Sequence, residues 1–519
     1  MALITVRKDE LKRLTSLSAK EAEENLTMLG LPVTSREDEF DIEVTPNRPD
    51  LLSIEGISRA LNAFTGRKVR EYGASKSGWS VSVDASVKNV RPFISACIVK
   101  GVRVDDEIIR SMMQLQEKIH DTFGRKRRKV AIGIHDIAGI EPPLKYAAYE
   151  KDEISFLPLD GKRKMSLSAI LEGHPKGIEY RHLVPGKGAV ITDCKGRVIS
   201  FPPIINAELT RVSEKTRNIL IDTTGTSEHA VDMALNIVAT AIADRGGELF
   251  SVKVGKKETP VLKMKRMGIP AKEASSILGV KLSGKEAEKL LRRMGFFVKG
   301  GHVFIPPYRT DIMHSIDLIE DMGIAYDYNR LAPSIPSTGA MGKELARTEE
   351  ATHQVMTGMG FSEVVTWSVT SKNVLKKAGF GENGLLLIEN PLTEEFNVVR
   401  PAIFPLLLSI FSESKNEKLP QLIYEVGIVA GPHPRKVLSA ATIHSRASFS
   451  EIKSFLSCLL SEMGVEWELK ERKHPAFIDG RCGSVVVGKK EIGIFGEINP
   501  SVLNNFELEQ PVAAFEIEI

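Results

Sequence analysis

Between Phe304 and Leu331 the chain reads FIPPYRTDIMHSIDLIEDMGIAYDYNRL, and its apolar residues carry a helical period. Pro306 and Pro307 forbid a helix before Tyr308, and from about Thr310 the spacing of Ile312, Ile316 and Ile319, continued by Gly323 and Tyr326, predicts a helix with one face in a core. On the other side Asp317 is followed at three and four residues by Glu320 and Asp321, a spacing that places the carboxylates on one strip, with Asp311 at the helix entrance.

The same patterning divides the rest of the chain. Residues 1–78 read as a small α/β unit: a strand at LITV, a helix from about Ser18 through LSAKEAEENLTMLGL, an alternating strand EFDIEV, the turn TPNRPD, and a helix SIEGISRALNAFTG capped by Asp50 or Ser53. Residues 79–258 shift to short β runs such as VSVDASV, FISACIVKGVRV, VAIGIHDI, GAVITD and VISFPP, interrupted by the helix IIRSMMQLQEKIHDTFG. After the linker GKKETP, residues 259–336 read as two helices, a hairpin around Gly300 and Gly301, and the helix described above, a compact arrangement resembling winged-helix modules. A linker at 334–342 leads into residues 337–519, which run through a helix KELARTEEATHQVMTGMG, a strand SEVVTWSVT and a helix after Pro401, and end in β runs.

Composition narrows the class. At 519 residues the chain is too long for one core, and apolar runs such as FPLLLSIF fall far short of the roughly 18 residues of a membrane span. MALITVRKDELKRL is charged by position 7 and has no signal-like apolar core, so a cytoplasmic location is expected. Cys97, Cys194, Cys458 and Cys482 are too scattered for a zinc site or a disulfide framework. A net charge of +3 permits an RNA partner without requiring one, so any such contact is local. RKRRK at 125–129 reads first as a basic surface loop.

Three features invite chemistry. Like charges at i, i+4 cost roughly 0.2–0.5 kcal/mol per pair, and no Lys or Arg between Asp311 and Tyr328 offsets the acidic strip. The strip is either a solvated face or a site for a hard cation such as Mg²⁺, which takes oxygen ligands. In ISFPPIINAELTRVSEKTRNILIDTTGTSEHAV, Asn206, Glu208, Asp222, Thr223, Thr224 and Thr226 lie between apolar stretches, as strand ends lining a cleft would. His135 and Asp136 lack the further histidines of a metal centre and read as structural, and Gly279, Gly284 and Lys285 fail as a phosphate loop because Glu286 follows.

PPYRTDI with DLIEDMGIAYDYN resembles the signature of phenylalanyl-tRNA synthetase beta subunits of the archaeal and eukaryotic type. VTPNRPDLLSIEGISRAL, HDTFGRKRRKVAIGIHD and the 199–226 run are similar to the same family, so the likeness covers essentially the whole chain. The resemblance implies an α+β multidomain protein: an N-terminal structural domain, a β-rich tRNA-editing domain, a winged-helix-like domain, and a C-terminal class II synthetase-like antiparallel domain without catalysis. It implies Mg²⁺ at Asp311, Asp317, Glu320 and Asp321, and an editing site at Glu208, Asp222 and Thr224 that hydrolyses tyrosine misattached to tRNA(Phe). It also implies an α₂β₂ heterotetramer in which the alpha subunit supplies ATP-dependent charging. Arg400 sits as in a class II nucleotide motif, but 475–519 lacks the glycine-rich strand and Arg-bearing helix of active members, so Arg400 reads as structural. Two rivals remain: a metal-dependent phosphodiesterase using the acidic strip, and a non-catalytic RNA-binding assembly protein.

Overall fold

The alternation of EFDIEV forms the strand Glu39–Val44, which buries Phe40, Ile42 and Val44 and lies between Ala2–Arg7 and Val33–Ser35 in an antiparallel three-stranded sheet. Of the two expected caps, Ser53 serves the helix Ile54–Phe64, accepting from the Gly56 N–H at 3.2 Å. Asp50 instead takes both bonds from Arg48, each at 2.9 Å. A helix that the apolar pattern does not announce, Lys8–Thr15, follows the first strand directly; its charged run KDELKRLT buries Glu10, Leu11 and Thr15, of which only Leu11 is apolar.

This computed structural model describes residues 2–335, 339, 342 and 347–519. The chain forms two compact units, Met1–Ile335 and Pro336–Ile519. Most of the expected linker at 334–342 and the first residues of the helix expected from Lys343 lie outside the described residues.

The first unit is built around a ten-stranded mixed sheet. Its strand Asn218–Gly225 runs antiparallel between Phe93–Lys100 and Val130–Asp136, which sets Asp222 opposite Gly133 and Thr224 opposite Ala131. The apolar helix Glu228–Ala243 covers one face of this region, and the N-terminal piece packs into the same core. Two buried cations fasten the join: Arg59 Nε donates to Asp244 Oδ2 at 3.0 Å, and Arg245 reaches Glu10 and Glu55.

The expected pair of helices and hairpin follow, as Ala271–Leu278, Gly284–Arg293 and the strands Phe297–Lys299 and His302–Ile305, the last pairing also with Lys265–Gly268. The next helix begins at Ser315, not near Thr310. The Asp317 carboxylate accepts from the Met313 and His314 N–H groups at 2.7 Å each and so fixes the helix start, while Tyr308, Arg309 and Ile312 enter the core as irregular chain. The face expected from periodicity starts at Ile312, which precedes the helix. The buried face is Leu318, Ile319, Met322 and Ala325, and Ile316 is 48% exposed.

In the second unit a seven-stranded sheet has Gln421–Val429, Arg435–Ile443, Val512–Glu518, Lys490–Ile498 and Phe477–Val487 as successive antiparallel neighbours. The helix Phe404–Glu413 packs Phe404, Leu407 and Leu408 into one core, and Phe449–Glu462 packs Ile452, Leu456 and Leu459 into another. SEVVTWSVT is not one strand. Ser362–Glu363 edges the large sheet, whereas Val369–Thr370 joins a separate three-stranded sheet with Val398–Val399 and Leu386–Leu387. The alternation in 362–370 breaks at the exposed Val365 and Trp367. Among the described residues no helix is long and apolar enough to cross a membrane.

Ser53→Ala removes the side-chain bond to the first turn of Ile54–Phe64 and is expected to cost about 1 kcal/mol. Amide exchange in the 54–58 turn reports it as faster opening; unchanged protection would show that the cap contributes nothing.

Candidate functional site

Strands Val130–Asp136 and Asn218–Gly225 form the floor of a cavity of about 400 Å³, within the range of small-ligand pockets. The helix Asp106–Asp121 supplies Met112, Met113, Gln116, Glu117 and His120 to one wall, and residues 202–206 form another. Most of the lining is apolar, which leaves its few polar groups in a medium where hydrogen bonds count for more.

Asp222 is the central one. It is 3% exposed, and its Oδ2 lies 2.7 Å from His135 Nε2, while His135 Nδ1 lies 2.8 Å from Thr210 Oγ1. The Thr210 hydroxyl also reaches the Ala207 carbonyl at 3.2 Å. This chain of bonds fixes one carboxylate oxygen from behind, and the other has no hydrogen bond among the described residues. Gly133 makes the arrangement possible: a Cβ there would sit 2.1 Å from Asp222 Oδ2 and 2.5 Å from His135 Nε2. His135 is thus structural, as its sequence context suggests, but it positions a cavity carboxylate.

Thr224 also lines the cavity, its Oγ1 accepting from Arg91 Nε at 2.9 Å. Arg91 is buried, and burial lowers its guanidinium to about 10. Its other donors go to the carbonyls of Thr224 at 2.7 Å, Arg127 at 3.1 Å and Arg128 at 3.4 Å. Two of these bonds anchor the far end of a bend in which Arg125, Lys126 and Arg127 all lie in the left-handed region, with φ of 50°, 51° and 65°.

The basic run at 125–129 is therefore not simply a surface loop. Arg127 turns inward, donates to the carbonyls of Pro203 and Ile204 and to Glu117, and stacks 4.4 Å over the Tyr180 ring. His120 accepts from the Ile132 N–H at 2.8 Å through Nε2, and burial lowers its pKa, which keeps it neutral with the proton on Nδ1. His120 Nδ1 faces Glu117 Oε1 at 3.5 Å, and Arg127 Nε finds no partner among the described residues. Spacing and periodicity single out neither residue for the site. Their signal is the run HDTFGRKRRK, which by itself speaks only of charge.

Glu208 stands apart. It lies in a short turn at the rim, where Arg211 Nε donates to it at 2.6 Å and the Asp160 N–H at 3.1 Å, and it does not line the cavity. These bonds hold its carboxyl below the usual range, the one from Arg211 most strongly. Of the three expected editing residues the structure brings Asp222 and Thr224 to one cavity and leaves Glu208 outside it.

The acidic strip does not gather. Arg309, two residues before Asp311, donates to Asp311 at 2.9 and 2.7 Å and to Asp321 at 2.7 Å, with all three largely buried. Asp317 is occupied by backbone N–H groups, and Glu320 is exposed. Among the described residues no group of three or more His, Cys, Asp or Glu side chains is placed to hold an ion. A divalent ion bound by all four carboxylates would have to displace a buried guanidinium, so this arrangement does not fit the expected Mg²⁺. The charge that offsets the strip lies just ahead of the interval from Asp311 to Tyr328.

Burial opposes ionisation of Asp311, but the charge and hydrogen bonds of Arg309 outweigh it and hold the carboxyl below its ordinary 3.8. Its contribution to stability is therefore complete above that value and lost as pH falls beneath it.

The second unit treats Arg400 in a similar way. It is 3% exposed, with Nη1 donating to Glu425 Oε1 at 2.6 Å and Thr366 Oγ1 at 2.7 Å, and Nε donating to the Ile428 carbonyl at 3.0 Å.

Known proteins share these units. Residues 107–242 match the B3/4 domain, 267–328 the tRNA synthetase B5 domain, and 329–519 the phenylalanyl tRNA synthetase beta chain CLM domain. The chain is 42% identical to the phenylalanine--tRNA ligase beta subunit of Archaeoglobus fulgidus, over 100% of this chain and 98% of the relative. It is 38% identical to the same-named subunit of Methanocaldococcus jannaschii, over the full length of both. Among solved structures, an N-terminal fragment of the phenylalanyl-tRNA synthetase beta subunit from Pyrococcus horikoshii aligns with a TM-score of 0.59 at 38% identity, covering 63% of this chain and 99% of that one.

Two outcomes test the site as described. Acid unfolding of the first unit should steepen below pH about 4, and Asp311→Asn should flatten the profile there; an unaltered profile would remove Asp311 from the balance. Arg309→Met leaves two buried carboxylates without their cation and is expected to cost about 3–5 kcal/mol by denaturant titration. Millimolar Mg²⁺ should recover part of that loss in the variant while leaving the parent's melting temperature unchanged; a chelator-sensitive parent would contradict the placement of Arg309.

Proposed function

The chain belongs to the phenylalanine--tRNA ligase beta-subunit family, and from that premise we propose that it is the proofreading and scaffolding subunit of a cytoplasmic α₂β₂ enzyme. In this reading the alpha subunit activates phenylalanine with ATP and charges tRNA(Phe), while this chain hydrolyses Tyr-tRNA(Phe) in the cavity of about 400 Å³.

The observation that carries the reading is the Asp222 carboxylate, fixed on one oxygen by His135 and unbonded on the other, in a cavity large enough for an aromatic ring. A phenylalanine pocket cannot strongly reject a ring that merely adds a hydroxyl; hydrophobic exclusion yields about 10²-fold. A site whose buried carboxylate must be hydrogen-bonded reverses the preference, because tyrosine satisfies it and phenylalanine leaves it bare. Asp222 would accept from the phenol. Thr224, its oxygen already engaged by Arg91, retains a hydroxyl proton to orient the phenol or a water. No cysteine or serine nucleophile is required; hydrolysis would proceed by a positioned water.

The division of labour draws support from Arg400, which is 3% exposed and spends Nε and Nη1 on Glu425, Thr366 and Ile428, away from any solvent-facing phosphate site. A phosphodiesterase using the acidic strip is not favoured, since Arg309 and backbone N–H groups occupy three of its four carboxylates.

In the complex with its alpha subunit, Asp222→Ala should lower Tyr-tRNA(Phe) deacylation by about 10²-fold or more while phenylalanine charging stays within about twofold. Unchanged deacylation would take Asp222 out of the site, and ATP–pyrophosphate exchange by this chain alone would refute the division of labour.

A further inference from the structure

The first unit holds a second concavity, an open cleft of about 960 Å³ between the end of Ile54–Phe64 and the helix Gly284–Arg293. Its charge is one-sided: Arg67, Lys68, Lys289, Arg292 and Arg293 line it against a single carboxylate, Glu71. These cations come from stretches more than two hundred residues apart in sequence, so no charge run announces them.

Among the described residues none of the five forms an ion pair; the arginines are held by backbone carbonyls instead. Arg67 donates to Thr15, Arg292 to Val298, and Arg293 to both Phe64 and Ala325 while lying 4.4 Å over the Phe64 ring. A carbonyl orients a guanidinium but does not cancel its charge. Lys68 and Lys289 are exposed and free to move, and the half-buried Phe297 offers a ring at the edge. Arg59 with Asp244 and Arg245 with Glu10 and Glu55 show the alternative in this unit, a packed arginine whose charge a carboxylate offsets. Fixed forks, two mobile ammonium groups and an aromatic edge, spread over an open cleft too large for one phosphate, are what a nucleic-acid backbone needs.

We infer that this cleft receives the phosphate backbone of the tRNA, at a surface separate from the editing cavity. The inference rests on the proposed role only in taking tRNA as the source of the phosphates.

The test uses the full chain and a tRNA(Phe) transcript, with binding followed by fluorescence anisotropy across a KCl series. Lys68→Gln/Lys289→Gln removes two charges that hold no structural bond, so folding is untouched. It should weaken binding at low salt at least tenfold and reduce the slope of log K against log[KCl] by about 1.5, at roughly 0.7–0.9 for each phosphate left without its cation. Lys376→Gln/Lys470→Gln, exposed lysines of the other unit, should leave the slope unchanged. Retained tRNA binding with an unaltered slope in the cleft variant overturns the assignment and leaves the editing role, tested by deacylation, standing. Absence of tRNA binding by the parent chain sinks both. Tripolyphosphate competing as well as tRNA at equal phosphate concentration would make the cleft a small-anion site and also overturns it.

Discussion

A guanidinium taken out of water must find acceptors for its N–H groups, because leaving one buried and unpaired costs several kcal/mol. In this protein that constraint recurs at each place where the architecture turns. Arg59 with Asp244 and Arg245 with Glu10 and Glu55 fasten the N-terminal piece to the helix over the large sheet. Arg309 pulls Asp311 and Asp321 inward, Arg91 grips the cavity wall, and Arg400 closes on Glu425 in the second unit. Each replaces solvent with a fixed set of oxygens, and each thereby dictates where the neighbouring backbone runs.

This explains what the sequence could and could not disclose. Alternation exposed the strand Glu39–Val44, and a glycine pair marked the hairpin at 300–301, because those signals are local. The acidic helix was legible as acidic but not as neutralised. Its counter-charge lies at Arg309, on the irregular chain that precedes the helix, and side-chain direction there follows from Tyr308 and Ile312 entering the core. The late helix start has the same origin, since Asp317 caps at a position that periodicity assigns to the helix interior.

The cavity was half legible. Asp222 and Thr224 stand two apart on one strand and therefore face the same side, which a period of two conveys. Glu208 sits in the same run of polar residues, yet a turn separates it from that strand, and Arg211 three residues later claims it. His120, Arg127 and Gly133 reach the cavity only through pairing of strands and packing of a helix, neighbours that no short window of sequence contains.

The left-handed run at 125–127 has a bearing on how this pocket could be isolated. Three such residues are unfavourable by themselves, at roughly 1–2 kcal/mol each, and the bend is drawn tight from outside by Arg91, which precedes the helix Asp106–Asp121. The B3/4 match begins at residue 107 and omits that clamp. An excised piece cut to those limits would keep the strand that bears Asp222 and lose the rim's shape, so the smallest piece that holds the cavity intact has to start upstream of residue 91.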